Sequence, residues 1–342
     1  MGAIMSLTSI KELIAIPSPS GYTDEVIDFI ENKVKALPYH CSRTYKGSLI
    51  ISTVKDPEAM VIGHIDTLGG MVSEITDSGT LRVSQLGGYP PNSFEGEYVT
   101  VITMKGNQIR GTFLVDNPAA HVNKDVKGTE RIMANMHIRL DAMVHSKNDV
   151  KTLGISVGDF VVYDPRLEIT DTGFLKSRFI DDKACSGIML DILQKDVDAL
   201  MNKKVGFYFS NYEEVGNGCP AGLPDSVKDL LVADMGVVGD GVTGDETKVS
   251  ICAKDSAGPY DLQLRRKLES LASENNIAYT VDVFPYYASD GTALLRSGKD
   301  IRVGLIGPGV SASHGVERTH KQGIEATRAL IMSYINSLPA KG

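Results

Sequence analysis

Residues 59–66 read AMVIGHID. The run Ala59-Met60-Val61-Ile62-Gly63 carries no polar side chain, and His64 and Asp66 arrive only at its end. A strand that is apolar without alternation is buried on both faces, as strands of parallel sheets covered by helices are. The residues just upstream agree. Val26, Ile27, Phe29, Ile30, Val34 and Leu37 recur at helical spacing, and KGSLIIST (46–53) reads as a strand. Helix then strand is the start of a layered α/β domain.

Downstream the texture changes. From about residue 69 to 170 the chain shows short alternating strands such as EYVTVITMKGNQIRGTF, broken by Asp-Ser-Gly and Lys-Gly-Asn turns. Near residue 180 the β–α rhythm returns: a helix over 183–200, strands over 205–211 and 230–234, a helix over 260–275, strands near 278–284 and 301–307, and a last helix over 321–337. The expected organisation is one α/β domain, residues 1–67 and 171–342, interrupted by a β-rich insertion over 68–170.

Composition narrows the function. The 342 residues carry a net charge of −8, which argues against nucleic acid or an anionic membrane surface as the main partner. No apolar stretch is long enough to span a bilayer. The N-terminal segment reads as a short amphipathic helix (Leu7 to Ile16) ending at Pro17, with no secretory signal, and Met1-Gly2 with Ser6 is a weak myristoylation match. Cys41, Cys185, Cys219 and Cys252 are widely spaced with no CxxC, as expected of reduced thiols in a cytoplasmic protein.

The apolar strands end in chemistry. His64 and Asp66 follow one; Glu213 and Glu214 follow Phe207–Asn211; Asp234 follows Leu230–Ala233; His314 follows the strand at 301–307 through a Gly-Pro-Gly loop; and Asp181-Asp182 precede the helix at 183. In an open parallel sheet the carboxyl ends of the strands line the ligand crevice. Acids and imidazoles gathered there repel or desolvate one another unless a cation sits among them. His64 and His314 are neutral ligands, whereas Asp181, Glu214 and Asp234 bring three negative charges against the four positive of two divalent ions, leaving room for a hydroxide. Histidines and carboxylates without thiolate suit zinc, cobalt or manganese.

The stretches GHIDTLGGMV (63–72), LGISVGDFVVYDP (153–165), KSRFIDDKACSGI (176–188), NYEEVGNG (211–218), VADMG (232–236) and SHGVERTH (313–320) together resemble the glutamyl and deblocking aminopeptidases, dinuclear metallopeptidases often called tetrahedral aminopeptidases. The resemblance runs essentially end to end. It implies an α/β, phosphorylase/hydrolase-like catalytic domain with a mixed, mostly parallel sheet sandwiched by helices and a barrel-like insertion. It implies that His64 and Asp234 each serve a different metal, that Asp181 bridges the two with a cis bond to Asp182, and that Glu214 and His314 complete the shells. Glu213 is then the general base acting through a bridging hydroxide, and Asp66 orients the His64 ring. Short peptides are the implied substrates, and a dodecamer built from dimers is the implied assembly, with the insertion serving assembly and access.

Two departures leave substrate preference open. Lys183 stands where many members have Arg, and Ser311-Ala312 stand where many have Arg-Tyr. His320 rivals His314, and His121, His137 and His145 of the insertion read as structural, with His121 able to approach the site. Ser289-Asp290-Gly291 reads as a helix cap, with a lesser role for Asp290 in lining the substrate pocket. An endoglucanase-type glycosidase and a catalytically silent scaffold are the competing readings. The first needs two free carboxylates across a sugar cleft, and the second would show a lost ligand.

Overall fold

A computed structural model describes residues 7–220 and 222–341; the Met1-Gly2 opening lies outside them. The chain begins with helices α1 (Thr8–Ala15) and α2 (Asp24–Val34), then strands β1 (His40–Arg43), β2 (Leu49–Ser52) and β3 (Ala59–His64). Every residue of β3 is buried, as its unbroken apolar run predicts.

By its contacts the chain divides into two compact units, one running to Asp66 and resuming at Leu167, the other spanning Thr67–Arg166. The second holds strands β4 (Gly69–Ile75), β5 (Leu81–Leu86), β6 (Tyr98–Ile102), β7 (Gln108–Val115), β8 (Met136–Leu140) and β9 (Phe160–Tyr163), with helix α3 (Lys147–Thr152). The strands close into a barrel in the order β4-β5-β8-β7-β6-β9, which leaves no open edge. Its interior is filled by aromatic rings, Phe94 lying 4.5 Å and Phe113 5.6 Å from Tyr163 between centroids.

The first unit then continues with β10 (Glu168–Ile169), β11 (Phe174–Ser177), α4 (Ile180–Lys195), α5 (Val197–Met201), β12 (Val205–Ser210), β13 (Asp229–Ala233), β14 (Gly236–Val238) and β15 (Val249–Lys254). It ends with α6 (Leu262–Glu274), β16 (Tyr279–Val283), α7 (Asp290–Arg296), β17 (Arg302–Ser311), β18 (Glu317–His320) and α8 (Lys321–Asn336). Its sheet is mixed and mostly parallel at the centre: β12, β3, β13 and β17 run parallel as neighbours, with β2 antiparallel on β12 and β15 antiparallel on β17. The registers pair Ser210 with His64 and Ala233 with Ile306, so the carboxyl ends of these strands finish together along one edge.

Three details differ from the pattern reading. The helix expected over 183–200 breaks at Asp196 into α4 and α5. Strand β15 was not anticipated, because VSICAK follows a glycine-rich run and is given its place only by pairing with β17 and β16. Strand β17 extends past 307 to Ser311, since its far half finds new partners in β14 and β18. No helix among the described residues is long and apolar enough to cross a membrane. All four cysteines are free; Cys41 is exposed and the others are buried.

Candidate metal centre

The aligned strand ends of the first unit carry the site. His64 is the last residue of β3, Asp234 follows β13, and the loop carrying Glu213 and Glu214 follows β12. The turn after β17 brings His314, with Ala312 at φ 57° and His314 at φ 61°, both in the left-handed region where non-glycine residues are uncommon. Asp181 precedes the regular part of α4: it and Asp182 have non-helical backbone angles, and the bond between them is cis, as the resemblance implies.

One ligand atom each from His64, Asp181 and Asp234 lies within 4.8 Å of the others, and all three residues are buried. His64 Nε2 is 3.0 Å from Asp181 Oδ1 and 3.8 Å from Glu213 Oε2. His314 Nε2 is 3.5 Å from the other Asp181 oxygen and 3.9 Å from Glu214 Oε2. Two ligands each about 2.1 Å from a zinc ion stand about 3 to 4 Å apart. The two oxygens of Asp181 therefore face two separate imidazoles.

The ligand atoms of His64 and Asp234, which the resemblance assigns to different ions, fall in one cluster with Asp181. The reason is the sheet: β3 and β13 are adjacent and parallel, so the residues at their ends are neighbours.

The contacts of Asp66 divide between its backbone and its side chain. His64 Nδ1 meets the backbone oxygen of Asp66 at 2.9 Å, whereas the carboxylate stands 3.7 Å from the ring. The strand stops at His64, so the alternation that would aim Asp66 alongside it does not continue. The Asp66 carboxylate instead accepts from the main-chain N–H of Glu213 (3.2 Å) and Glu214 (3.3 Å) and from Ser20 Oγ (2.5 Å). It acts on the ring through its carbonyl and on the acidic loop through its side chain.

The electrostatics call for positive charge. A carbonyl only accepts, so Nδ1 of His64 carries a proton, and in the neutral ring that a metal needs Nε2 turns a lone pair toward Asp181. Two acceptors at that distance repel unless a proton or a cation lies between them. Burial alone would pull His64 down, but Asp181, Glu213 and Asp234 outweigh it and hold the imidazole well above its usual value. Burial pushes Asp181 up, but hydrogen bonds with His314 and His64 win and hold it well below. Burial raises Asp234 to about 7, with the charge of Asp181 adding to it. Glu213, Glu214 and Asp182 are likewise pushed well up, first by burial and then by neighbouring acids. Glu214 Oε1 and Asp182 Oδ1 are buried and find no hydrogen-bond partner. A carboxylate oxygen buried without a donor is costly, and divalent cations would both satisfy Glu214 and neutralise the cluster. The residues present therefore fit bound divalent metal.

Surrounding groups hold the centre in shape. Asp182 accepts the N–H of His64 at 3.2 Å, an approach that Gly63 permits, since a Cβ there would lie 2.9 Å from the same carboxylate. Lys183 is buried, directs Nζ at Ile16 O (3.4 Å), and is lowered by burial to about 7. His320 caps α8, its Nδ1 accepting from Gln322 N at 3.1 Å while Nε2 meets Thr172 O at 2.9 Å, so it is engaged away from the cluster. In the barrel unit, His137 Nδ1 pairs with Asp116 at 2.9 Å, while His121 is exposed. Ser289 caps α7, as expected, whereas Asp290 has a larger part: it accepts from Ser210 Oγ and from Cys219 N, clasping both ends of the loop that carries Glu213 and Glu214.

Three neighbours escaped the sequence reading. Ser20 binds Asp66, Tyr287 donates to Met235 O at 3.2 Å beside Asp234, and Glu317 is buried against the segments of Asp181 and His314. Only the ERTH stretch hinted at the last.

Residues 47–330 match the M42 glutamyl aminopeptidase family. YhfE of Bacillus subtilis (strain 168), which carries an aminopeptidase name, is 45% identical over 333 residues, 96% of each chain. The glutamyl aminopeptidase of Lactococcus lactis subsp. cremoris (strain MG1363) is 25% identical over 212 residues, 60% of this chain and 59% of its own. Among solved structures, the TET1 peptidase of Pyrococcus horikoshii, which can assemble into a tetrahedron or a large octahedral shell, superposes with a TM-score of 0.85 at 22% identity, over 97% of this chain and 99% of its own.

Proposed function

This chain belongs to the M42 glutamyl aminopeptidase family, and on that premise we propose that it is a metal-dependent aminopeptidase that removes N-terminal residues from short peptides. The observation that carries the reading is the meeting of His64 Nε2 and Asp181 Oδ1 at 3.0 Å inside a buried group of acids, a contact that a bound cation resolves. His64, Asp181 and Asp234 would hold one ion, and the second Asp181 oxygen, Glu214 and His314 the other. Two divalent cations, zinc first and cobalt or manganese as alternatives, would supply the Lewis acidity that lowers the pKa of a water and polarises the scissile carbonyl.

The chain's own groups do the rest. Glu213, whose side chain remains 13% exposed beside His64, takes a proton from the attacking water and returns it to the leaving amine. Asp66 fixes the approach of Glu213 through the loop amides, and Asp290 clasps that loop at both ends. A glycosidase would need two carboxylates free to act across a sugar, whereas both oxygens of Asp181 face imidazoles here. A silent scaffold fits poorly, because Glu213 and all five ligand candidates are present. Glutamyl preference is not carried over, given Lys183, Ser311 and Ala312.

The barrel unit is read as an assembly and access domain of a homo-oligomer, a dodecamer built from dimers, in line with the large shells named for the TET1 relative. A monomer in sedimentation would remove that part. The exposed free thiol of Cys41 suits a reducing cytoplasm.

The deciding assay takes chelator-stripped protein reloaded with zinc, cobalt or manganese and presents free and N-blocked peptides beside a β-glucan. Metal-restored peptide hydrolysis is expected. Undiminished turnover in the stripped protein, or glucan cleavage without peptidase activity, would overturn the reading.

A further inference from the structure

Glu317 lies on β18, where the strand pairs with β11 in the register Ser177 to Glu317. Its side chain is buried and points away from bulk solvent into the seam between two loops. One carboxylate oxygen accepts the N–H of Asp181 at 3.1 Å, and the other accepts the N–H of His314 at 3.0 Å. Asp181 stands 136 residues away in sequence and His314 only three. The two residues face each other across the candidate centre, with His314 Nε2 3.5 Å from Asp181 Oδ2.

We infer that Glu317 is a positioning residue for the cation pair, a carboxylate brace that fixes the spacing between Asp181 and His314 and so forms the half of the centre that depends on His314. The inference rests on the metal reading above. Asp181 emerges from β11 through Phe179, at φ 66°, and His314 sits in a turn at φ 61°. Neither backbone is held by a regular ladder at that point, so each depends on a side-chain acceptor to satisfy its N–H. A single carboxylate with two acceptor oxygens can serve both at once; an amide offers only one acceptor, and an aspartate at the same backbone position is one methylene too short to reach both. A brace of this kind also places a further negative charge close behind the ligands, where it favours bound cations.

The His64 half has its own supports in Asp182 and the Asp66 carbonyl, both of which bond to His64 itself. The effect of removing Glu317 should therefore fall on one ion more than on the other. Supporting partners of metal ligands typically contribute about 10- to 100-fold in affinity.

The test uses the full chain stripped of metal, with cobalt(II) as the probe, followed by visible absorption and by equilibrium dialysis with metal analysis. Native protein, Glu317→Gln, Glu317→Asp and His314→Ala are compared, with far-UV circular dichroism and thermal melting of the metal-free forms alongside. Native protein is expected to bind two cobalt ions per chain. Glu317→Gln and Glu317→Asp should each bind one ion as native does and the second at least about tenfold more weakly. Adding Glu317→Gln to His314→Ala should cause little further loss, because both act on the same ion. Native-like binding of both ions by Glu317→Gln would overturn the brace. Native-like binding by Glu317→Asp alone would reduce it to a charge effect and overturn the positioning role. Failure of both variants to fold would make Glu317 a residue of the fold and overturn it too. A native protein that binds no cobalt would instead refute the metal reading on which the inference stands.

Discussion

The carboxylate of Asp66 accepts the main-chain N–H of Glu213 at 3.2 Å, joining residues 147 apart in sequence. The next amide, that of Glu214, binds the same carboxylate at 3.3 Å. The acid proposed to move protons and the acid proposed to bind metal are thus hung from one buried anchor. Asp66→Asn replaces an acceptor with a donor at one of those amides. Turnover should fall about 10- to 100-fold with metal content unchanged. Parallel kinetics and metal analysis check this; a loss that tracks lost metal would place Asp66 among the ligands' supports only.

Glu213→Gln keeps the volume of the side chain and removes its capacity to carry a proton. The expected result is native melting behaviour, native metal content and kcat lower by about 100- to 10,000-fold. Peptidase activity close to native would remove Glu213 from the proton-transfer role.

The stripped protein should lose stability as pH rises. Asp234 is held by burial at about 7 and Glu317 at about 8, each far above its ordinary carboxyl value. A group raised on folding contributes its full stability below its unfolded pKa and loses it as pH climbs through the folded one. His64, also raised, acts with the same sign. Asp181, lowered, gives way only at more acidic pH. The melting temperature of chelated protein should therefore decline between about pH 4 and 8, and the gain on adding zinc should grow over the same interval, as cations take the place of protons. A melting temperature of the stripped form that rises toward pH 8 would contradict the electrostatic account of the centre.

Gly218 has room for hydrogen only: a Cβ there would lie 1.8 Å from Asp290 Oδ1. Gly218→Ala must push Asp290 off Cys219 or shift the acidic loop. It should cost about 1–3 kcal/mol and lower kcat while leaving the His64 half of the centre able to bind metal. Calorimetry with cobalt titration checks both parts; native stability would show that the loop yields freely.

The fold was legible where the residues that define it stand next to one another. Met60-Val61-Ile62 reads as a two-sided buried strand because burial on both faces demands apolar side chains in succession, and the structure buries all three. The same holds for Phe207-Tyr208-Phe209 and Leu230-Leu231-Val232. Strand β15 was not legible, because Val249–Lys254 earns its place only by pairing with β17 on one side and β16 on the other. Within the centre, acids and histidines at strand ends could be picked out by type and position. Ser20, Tyr287 and Glu317 could not, since a hydroxyl or an acid in the sequence does not declare which group it will meet.

By itself the sequence determined the chemistry on offer: apolar strands that must lie inside, and imidazoles and carboxylates held at their ends without thiolates. Those are local properties, carried by side chains and their immediate neighbours. Only the tertiary structure decided the partnerships. It put Asp234 with His64, sent the Asp66 carboxylate to the acidic loop while its carbonyl took the ring, and suspended Asp181 and His314 from Glu317. Hydrogen bonds act over about 3 Å and fix direction as well as distance. Which groups come that close is set by strand register and loop geometry, summed over the whole chain.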